Sequence, residues 1–146
     1  MKYLATNRRA NAEYSLQDRL EAGLVLNGNE VKSVKAGNIS LKEAYVQVTP
    51  NQEAYLLNAH ISPYQKAKDY DPIRSRKLLL NKSELKNLFG KTSQKGLTII
   101  PLAIYAKKGY LKLLIAVAAK KKKRDRRQDL RQRAHERDID QQLSGR

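Results

Sequence analysis

The sequence predicts a mainly β protein with short helices: a small closed or partly open β-barrel followed by a basic C-terminal tail. Three observations carry that prediction. Apolar residues recur at period two in several runs, most cleanly from Tyr110 to Ala118. The helical stretches are short and do not alternate with strands as a parallel sheet would require. From Lys120 onward apolar residues become too sparse to build a core, while cations crowd together.

The elements follow in chain order. Residues 1–12 are polar, include Asn7, Arg8, Arg9 and Asn11, and read as a basic arm leading into the fold. Tyr14, Leu16, Leu20, Ala22, Leu24 and Leu26 give a mainly period-two pattern over 13–26, a long strand bent or bulged near Gly23. Asn27-Gly28-Asn29 is turn material. Val31 and Val34 stand three apart with Lys32, Ser33 and Lys35 outside, which predicts a short helix over 30–36 ended by Gly37. Tyr45, Val46 and Val48 face Ala54 to Leu57 across Pro50-Asn51-Gln52-Glu53, a hairpin signal. Residues 61–77 show no clean period and contain Pro63 and Pro72; they read as a loop with at most one helical turn. Over 80–90, Asn81 and Glu84 have capping-box spacing and Leu80 and Leu85 occupy the staple positions. Leu85, Leu88 and Phe89 form the stripe to be buried, and Gly90 is expected to end that helix. Leu97 to Ala106 and Tyr110 to Ala118 are strands joined by Lys107-Lys108-Gly109, with Pro101 at an edge or a bulge. Leu111, Leu113, Ile115 and Val117 share one face of the last strand, and Lys112 projects from the other.

The chain has 146 residues, 40% of them apolar, enough for one small core over 1–119 and a tail over 120–146. Lys and Arg number 30 against 14 Asp and Glu, a net charge of +16. Residues 1–119 carry 19 basic and 9 acidic side chains, and residues 120–146 carry 11 and 5, so the tail is the denser in charge. A body this cationic repels itself unless a polyanion is near. The cations are scattered among tyrosines and not laid on one amphipathic face, which favours nucleic acid over membrane. Eight tyrosines against one phenylalanine suggest rings with a wet edge, suited to stacking or to bonding phosphate. The absence of cysteine excludes a disulfide scaffold, thiolate metal sites and thiol nucleophiles. No apolar run approaches the roughly 20 residues of a membrane span, and the N-terminus has no secretory core. A soluble, cytoplasmic monomer is expected.

Little points to catalysis. His60 has no second ligand at metal spacing, His135 lies in the tail where no rigid catalytic geometry is expected, and Asp69 and Asp71 flank Tyr70 before a proline, the place of turn-formers. No phosphate-cradling glycine motif, nucleophile elbow or zinc-binding His pair is present. The expectation is a binding protein that needs neither metal nor cofactor. Candidate RNA contacts are Arg74, Arg76 and Lys77 as a phosphate clamp, Lys32 beside Lys35, the Asn7-Arg8-Arg9 arm, and Lys112. Glu21 and Glu30, acidic within a basic body, are expected to pair with an arginine or to accept from a base edge or ribose hydroxyl. The cation run Lys120, Lys121, Lys122, Lys123 and Arg124 keeps the tail disordered when free, and RNA phosphates relieve its repulsion so that it folds as a helix.

Several strings together resemble one family. They are Asn7-Arg8-Arg9-Ala10, Glu21-Ala22-Gly23-Leu24, Gly28-Asn29-Glu30-Val31-Lys32-Ser33 and Ala36-Gly37. His60-Ile61-Ser62-Pro63-Tyr64, the run from Asp71 to Leu80, Gly90-Lys91 and Lys95-Gly96-Leu97-Thr98 complete the set. In this order they resemble the bacterial SsrA-binding protein family, also called small protein B. The resemblance implies an OB-like barrel with inserted helices that binds transfer-messenger RNA at its tRNA-like domain. Protein and RNA would enter the vacant A site of a stalled ribosome for trans-translation, with the tail in the empty mRNA channel near the decoding centre. Elongation factor Tu and alanyl-tRNA synthetase would be indirect associates. By matching position, Asn7, Arg8, Arg9, Glu21, Leu79 and Lys112 would bind RNA, while Asp125, Arg126 and Arg127 match the tail's Asp-Lys-Arg motif. Three departures stand out: Arg124 replaces an aromatic or histidine, Ala12 replaces a histidine, and Ala119-Lys120-Lys121 replaces Lys-Gly-Lys. A ribosomal or general tRNA-binding barrel protein is the alternative.

Overall fold

Two long strands set the frame. β8 (Leu97–Lys107) and β9 (Tyr110–Lys120) pair antiparallel along their whole length. Lys108 and Gly109 between them both adopt positive φ, 51° and 82°, as a two-residue hairpin turn with the right twist requires. Pro101 sits at an irregularity, because the register shifts between Pro101 and Ala103; the missing N–H is accommodated at a bulge, as expected.

The computed structural model describes residues 2–121. The remaining elements in chain order are β1 (Tyr3–Thr6), α1 (Ala10–Glu13), β2 (Tyr14–Leu24), α2 (Gly28–Lys35), β3 (Ile39–Ser40), β4 (Tyr45–Val48), β5 (Ala54–Leu57), β6 (His60–Ile61), β7 (Arg76–Leu79) and α3 (Lys82–Thr92). One sheet runs β1-β8-β4-β5-β7-β2-β9, and the β8–β9 pairing joins its far end back to β8. The strands β8, β4, β5, β7, β2 and β9 therefore form a closed ring, and β1 lies outside it against β8. β3 and β6 make a separate two-stranded ribbon. The mainly β class with short helices holds.

Alternation fills the ring. Leu111, Leu113, Ile115 and Val117 of β9 point inward with Val46, Leu56, Leu78, Ile99 and Ile104. α2 adds Val34 to this core, and α3 adds Leu85 and Leu88. Both helices start from the same device. Asn27 accepts from the Glu30 N–H at 2.9 Å while Glu30 reaches back to the Asn27 N–H at 3.0 Å. Asn81 and Glu84 repeat the arrangement.

Several expectations are corrected. The arm over 1–12 contains β1, which pairs with β8, and the start of α1, where Ala10 packs with Ile100 and Ala118 in a small outer cluster. β2 is irregular between Leu16 and Arg19, not at Gly23. Gly90 does not end α3: the helix runs on to Thr92, and Phe89 on its rim stays 38% exposed. The stretch over 61–77 is not wholly loop, since β7 begins at Arg76. β9 includes Lys120, and Lys121 remains attached to the body through its N–H to the Glu13 carbonyl and its Nζ to the Asn11 carbonyl, both at 2.8 Å. The tail expectations from Lys122 onward, including Lys123, Arg124, Asp125, Arg126, Arg127 and His135, lie outside the described residues.

Candidate nucleic-acid interface

Strand register assembles one outer face from distant segments. Leu79 of β7 faces Gly23 of β2, Gly23 faces Lys112 of β9, Lys112 faces Tyr105 of β8, and Tyr105 faces Tyr3 of β1. Cross-strand partners share a face, so this row crosses the outside of the sheet. Leu79 is 58% exposed there, in line with Lys112 and beside Lys77, so its apolar surface is open to a base or ribose. Gly23 lets it lie close: a Cβ at Gly23 would meet the Leu79 Cβ at 3.1 Å. Glu21, one step along β2 on the same face, accepts from the Tyr105 hydroxyl and lies 3.5 Å from the Lys107 ammonium. The Tyr105 hydroxyl, with Lys107 and Lys112 beyond it, holds the Glu21 carboxyl below its ordinary pKa despite partial burial. Glu21 stays ionised, paired with a tyrosine and a lysine and not with an arginine.

The N-terminal arm is fixed next to this face. The Asn7 N–H donates to the Leu102 carbonyl at 2.8 Å, and its amide donates to the Pro101 carbonyl at 2.9 Å, so the β8 bulge is the arm's anchor. Asn7 thus presents Arg8 and Arg9. Arg9 lies 3.7 Å from Glu43, with both side chains exposed. Arg8 is exposed and has no polar partner among the described residues.

The expected clamp of Arg74, Arg76 and Lys77 is corrected. Alternation along β7 turns Arg76 and Leu78 inward and Lys77 and Leu79 outward. Arg76 is 0% exposed and cannot meet a phosphate. Its guanidinium donates from Nε to Glu30 at 2.8 Å and from Nη1 to the Ala59 carbonyl at 2.7 Å, and Nη2 lies 2.7 Å from the same carboxylate. Arg74, about half exposed, binds the other oxygen of Glu30 at 2.5 Å. Glu30 therefore pairs with arginines, the first of its two expected roles. Burial pushes its pKa up, but donation from Arg74, the Asn27 N–H and Arg76 outweighs burial and leaves it lowered. Lys77 joins the outer face beside Leu79. Lys32 stands on the exposed side of α2, 5.9 Å from the centre of the Tyr64 ring, with Tyr64 itself half exposed.

The outer face thus collects Arg8, Lys77, Leu79, Glu21, Lys107 and Lys112, while Lys32 and Arg74 lie with α2 and the loop before β7. Sequence reasoning missed Arg19, which shares the phase of Glu21 and Gly23 on β2, and Tyr105, whose role shows only once β8 and β2 flank β9. The signal that finds Arg19 is its period-two spacing from Glu21.

The family model described as "SmpB: SmpB protein" matches residues 4–145. The chain is 45% identical over 145 residues to the SsrA-binding protein of Enterococcus faecalis, covering 98% of this chain and 91% of that one. It is 43% identical over 149 residues to the SsrA-binding protein of Thermosynechococcus vestitus, covering 100% and 97%. A solved structure described as "tmRNA-SmpB: a journey to the center of the bacterial ribosome" superposes with a TM-score of 0.68 at 44% identity, over 82% of this chain and 85% of that one.

Proposed function

The chain belongs to the SmpB family, and from that premise we propose that it binds transfer-messenger RNA and delivers it to stalled ribosomes for trans-translation. The contact is the tRNA-like domain, held on the outer face of β7, β2, β9 and β8 and by the adjoining arm. The observation that carries this reading is the exposed Leu79 in one cross-strand row with Lys112, flanked by Lys77 and Lys107. Leu79 supplies an apolar contact to an unstacked base or sugar, and the lysines neutralise phosphates on either side. Glu21, kept ionised by Tyr105, is placed to accept from a ribose hydroxyl or a base amino group. Asn7 positions Arg8 and Arg9 through the β8 bulge. The chain acts by binding and not by catalysis, in the cytoplasm, with elongation factor Tu and alanyl-tRNA synthetase meeting the RNA it carries. The segment from Lys122 to Arg127 enters the vacant mRNA channel.

Gel shifts of the tRNA-like domain against bulk tRNA, over graded salt, test the reading. We expect a clear preference for the tRNA-like domain and an affinity that falls by orders of magnitude over a few-fold rise in salt, given roughly six or more neutralised phosphates. Equal affinity for both RNAs would make this a general tRNA-binding protein.

A further inference from the structure

Beside the row of Leu79, Gly23 and Lys112 the outer face holds a groove of about 280 Å³ between the N-terminal arm and strands β2, β8 and β9. Leu102 and Leu114 are among its apolar lining, and Tyr3, Arg8, Asn11 and Arg19 are among its polar lining. The volume is far more than the roughly 10–15 Å³ a single water needs, so the groove admits a larger group such as a phosphodiester. Arg19 lines the groove from β2, where the register shift between Leu16 and Arg19 sets it opposite Ala116.

The charge around the groove is unbalanced. Asp18, next in sequence to Arg19, pairs with Lys91 of α3. Glu21 is taken by Tyr105 and Lys107, and Glu43 by Arg9. The side chains of Arg8 and Arg19 are exposed and make no hydrogen bond or ion pair among the described residues. Two guanidiniums around one groove, each without a counter-charge, repel one another until an anion arrives, and the planar fork of arginine suits phosphate oxygens. In a chain of net charge +16 the complementary occupant is a polyanion.

We infer that this groove is a phosphate subsite: Arg8 and Arg19 hold one RNA backbone phosphate between them, while Leu102 and Leu114 pack against the sugar that follows. The inference rests on the RNA-binding reading and adds Arg19 to it. A phosphate contact carries no base information, so the subsite fixes register on the RNA and not sequence preference.

The test uses the full chain and a transcript of the tRNA-like domain, with Lys112→Ala as a contact outside the groove. Arg19→Ala should lower affinity about tenfold at fixed salt and reduce the slope of log Kd against log salt by about 0.7–0.9. Arg19→Lys should keep the slope and recover only part of the affinity, since an ammonium offers no fork. Arg8→Ala combined with Arg19→Ala should cost far less than the product of the single effects, because both side chains serve one phosphate. An unchanged affinity and slope in Arg19→Ala overturns the subsite, and strictly multiplicative effects overturn the shared phosphate. If Lys112→Ala still weakens binding in those cases, the RNA-binding reading survives. If the wild-type chain shows no preference for this RNA, it is that reading that fails.

Discussion

Glu30→Gln removes a single charge from the centre of the Glu30–Arg76 pair while keeping the shape of the side chain. Both partners are 0% exposed, and Arg76 directs three nitrogens at Glu30 and the Ala59 carbonyl. A glutamine amide can accept from the guanidinium but offers no counter-charge, so Arg76 is left as an uncompensated buried cation. Breaking a buried pair in this way costs about 3–5 kcal/mol. Losing the negative charge from the first turn of α2 adds about 0.3–1 kcal/mol. Against a total stability of about 5–15 kcal/mol for a domain of this class, that is a large fraction, equivalent to a fall in Tm of roughly 10–20 °C. Urea titration monitored by circular dichroism reads it directly. The pH dependence gives a second readout. Glu30 has a lowered folded pKa, so its contribution is complete above the ordinary carboxylate value of 4.5 and is lost as pH falls through the folded value. Glu30→Gln should lack that part of the acid limb. Glu30→Gln combined with Arg76→Met should recover part of the loss, since it removes the uncompensated buried cation while leaving the Ala59 carbonyl without its donor. A loss below about 1 kcal/mol in the single variant, or no recovery in the double, would refute the argument.

The remaining predictions concern the outer face and the ends of the body. Leu79→Ala should change stability by no more than about 0.5 kcal/mol, because the side chain is largely in water already, yet weaken RNA binding severalfold; a large drop in Tm would show that it supports the fold. Burial and the Glu21 carboxylate push the Tyr105 phenol up to about 12 from its ordinary value of 10. A raised pKa means that this contribution to stability is complete below pH 10 and lost between pH 10 and 12. Tyr105→Phe should flatten that part of the alkaline limb, and an unchanged limb would remove the coupling to Glu21. Deleting residues 122–146 should leave affinity for the tRNA-like domain largely intact but abolish tagging in a stalled-ribosome translation assay; loss of RNA affinity would contradict the separation of roles.

What was legible in the sequence was what local chemistry decides. Asn81 and Glu84 start α3 wherever they meet that spacing, and the alternation from Leu111 to Val117 has one reading whatever surrounds it. Arg74-Ser75-Arg76-Lys77 misled because charge suggests solvent, whereas strand alternation buries every second residue and Glu30, 46 positions away, makes burial of Arg76 tolerable. β1 was hidden for a related reason: Tyr3 to Thr6 has no apolar stripe, and the strand forms because β8 offers it an edge. Gly90 failed as a helix end because the Thr92 and Ser93 hydroxyls bond the Leu88 and Phe89 carbonyls, supporting the final turn. On the functional face, Leu79 and Lys112 could be proposed one at a time, but their adjacency through Gly23 is a property of register alone.

Closure of the strand ring bears on how the molecule behaves at high concentration. Among the described residues, apart from the two-residue ribbon strands, the edge left open is that of β1, four residues long with Lys2 before it and Arg8 shortly after. A second copy therefore finds almost no template for adding a strand, and like charge opposes its approach. Dilute salt should keep concentrated samples clear, and turbidity is expected when a polyanion bridges them, as a charge-driven coacervate and not as fibres.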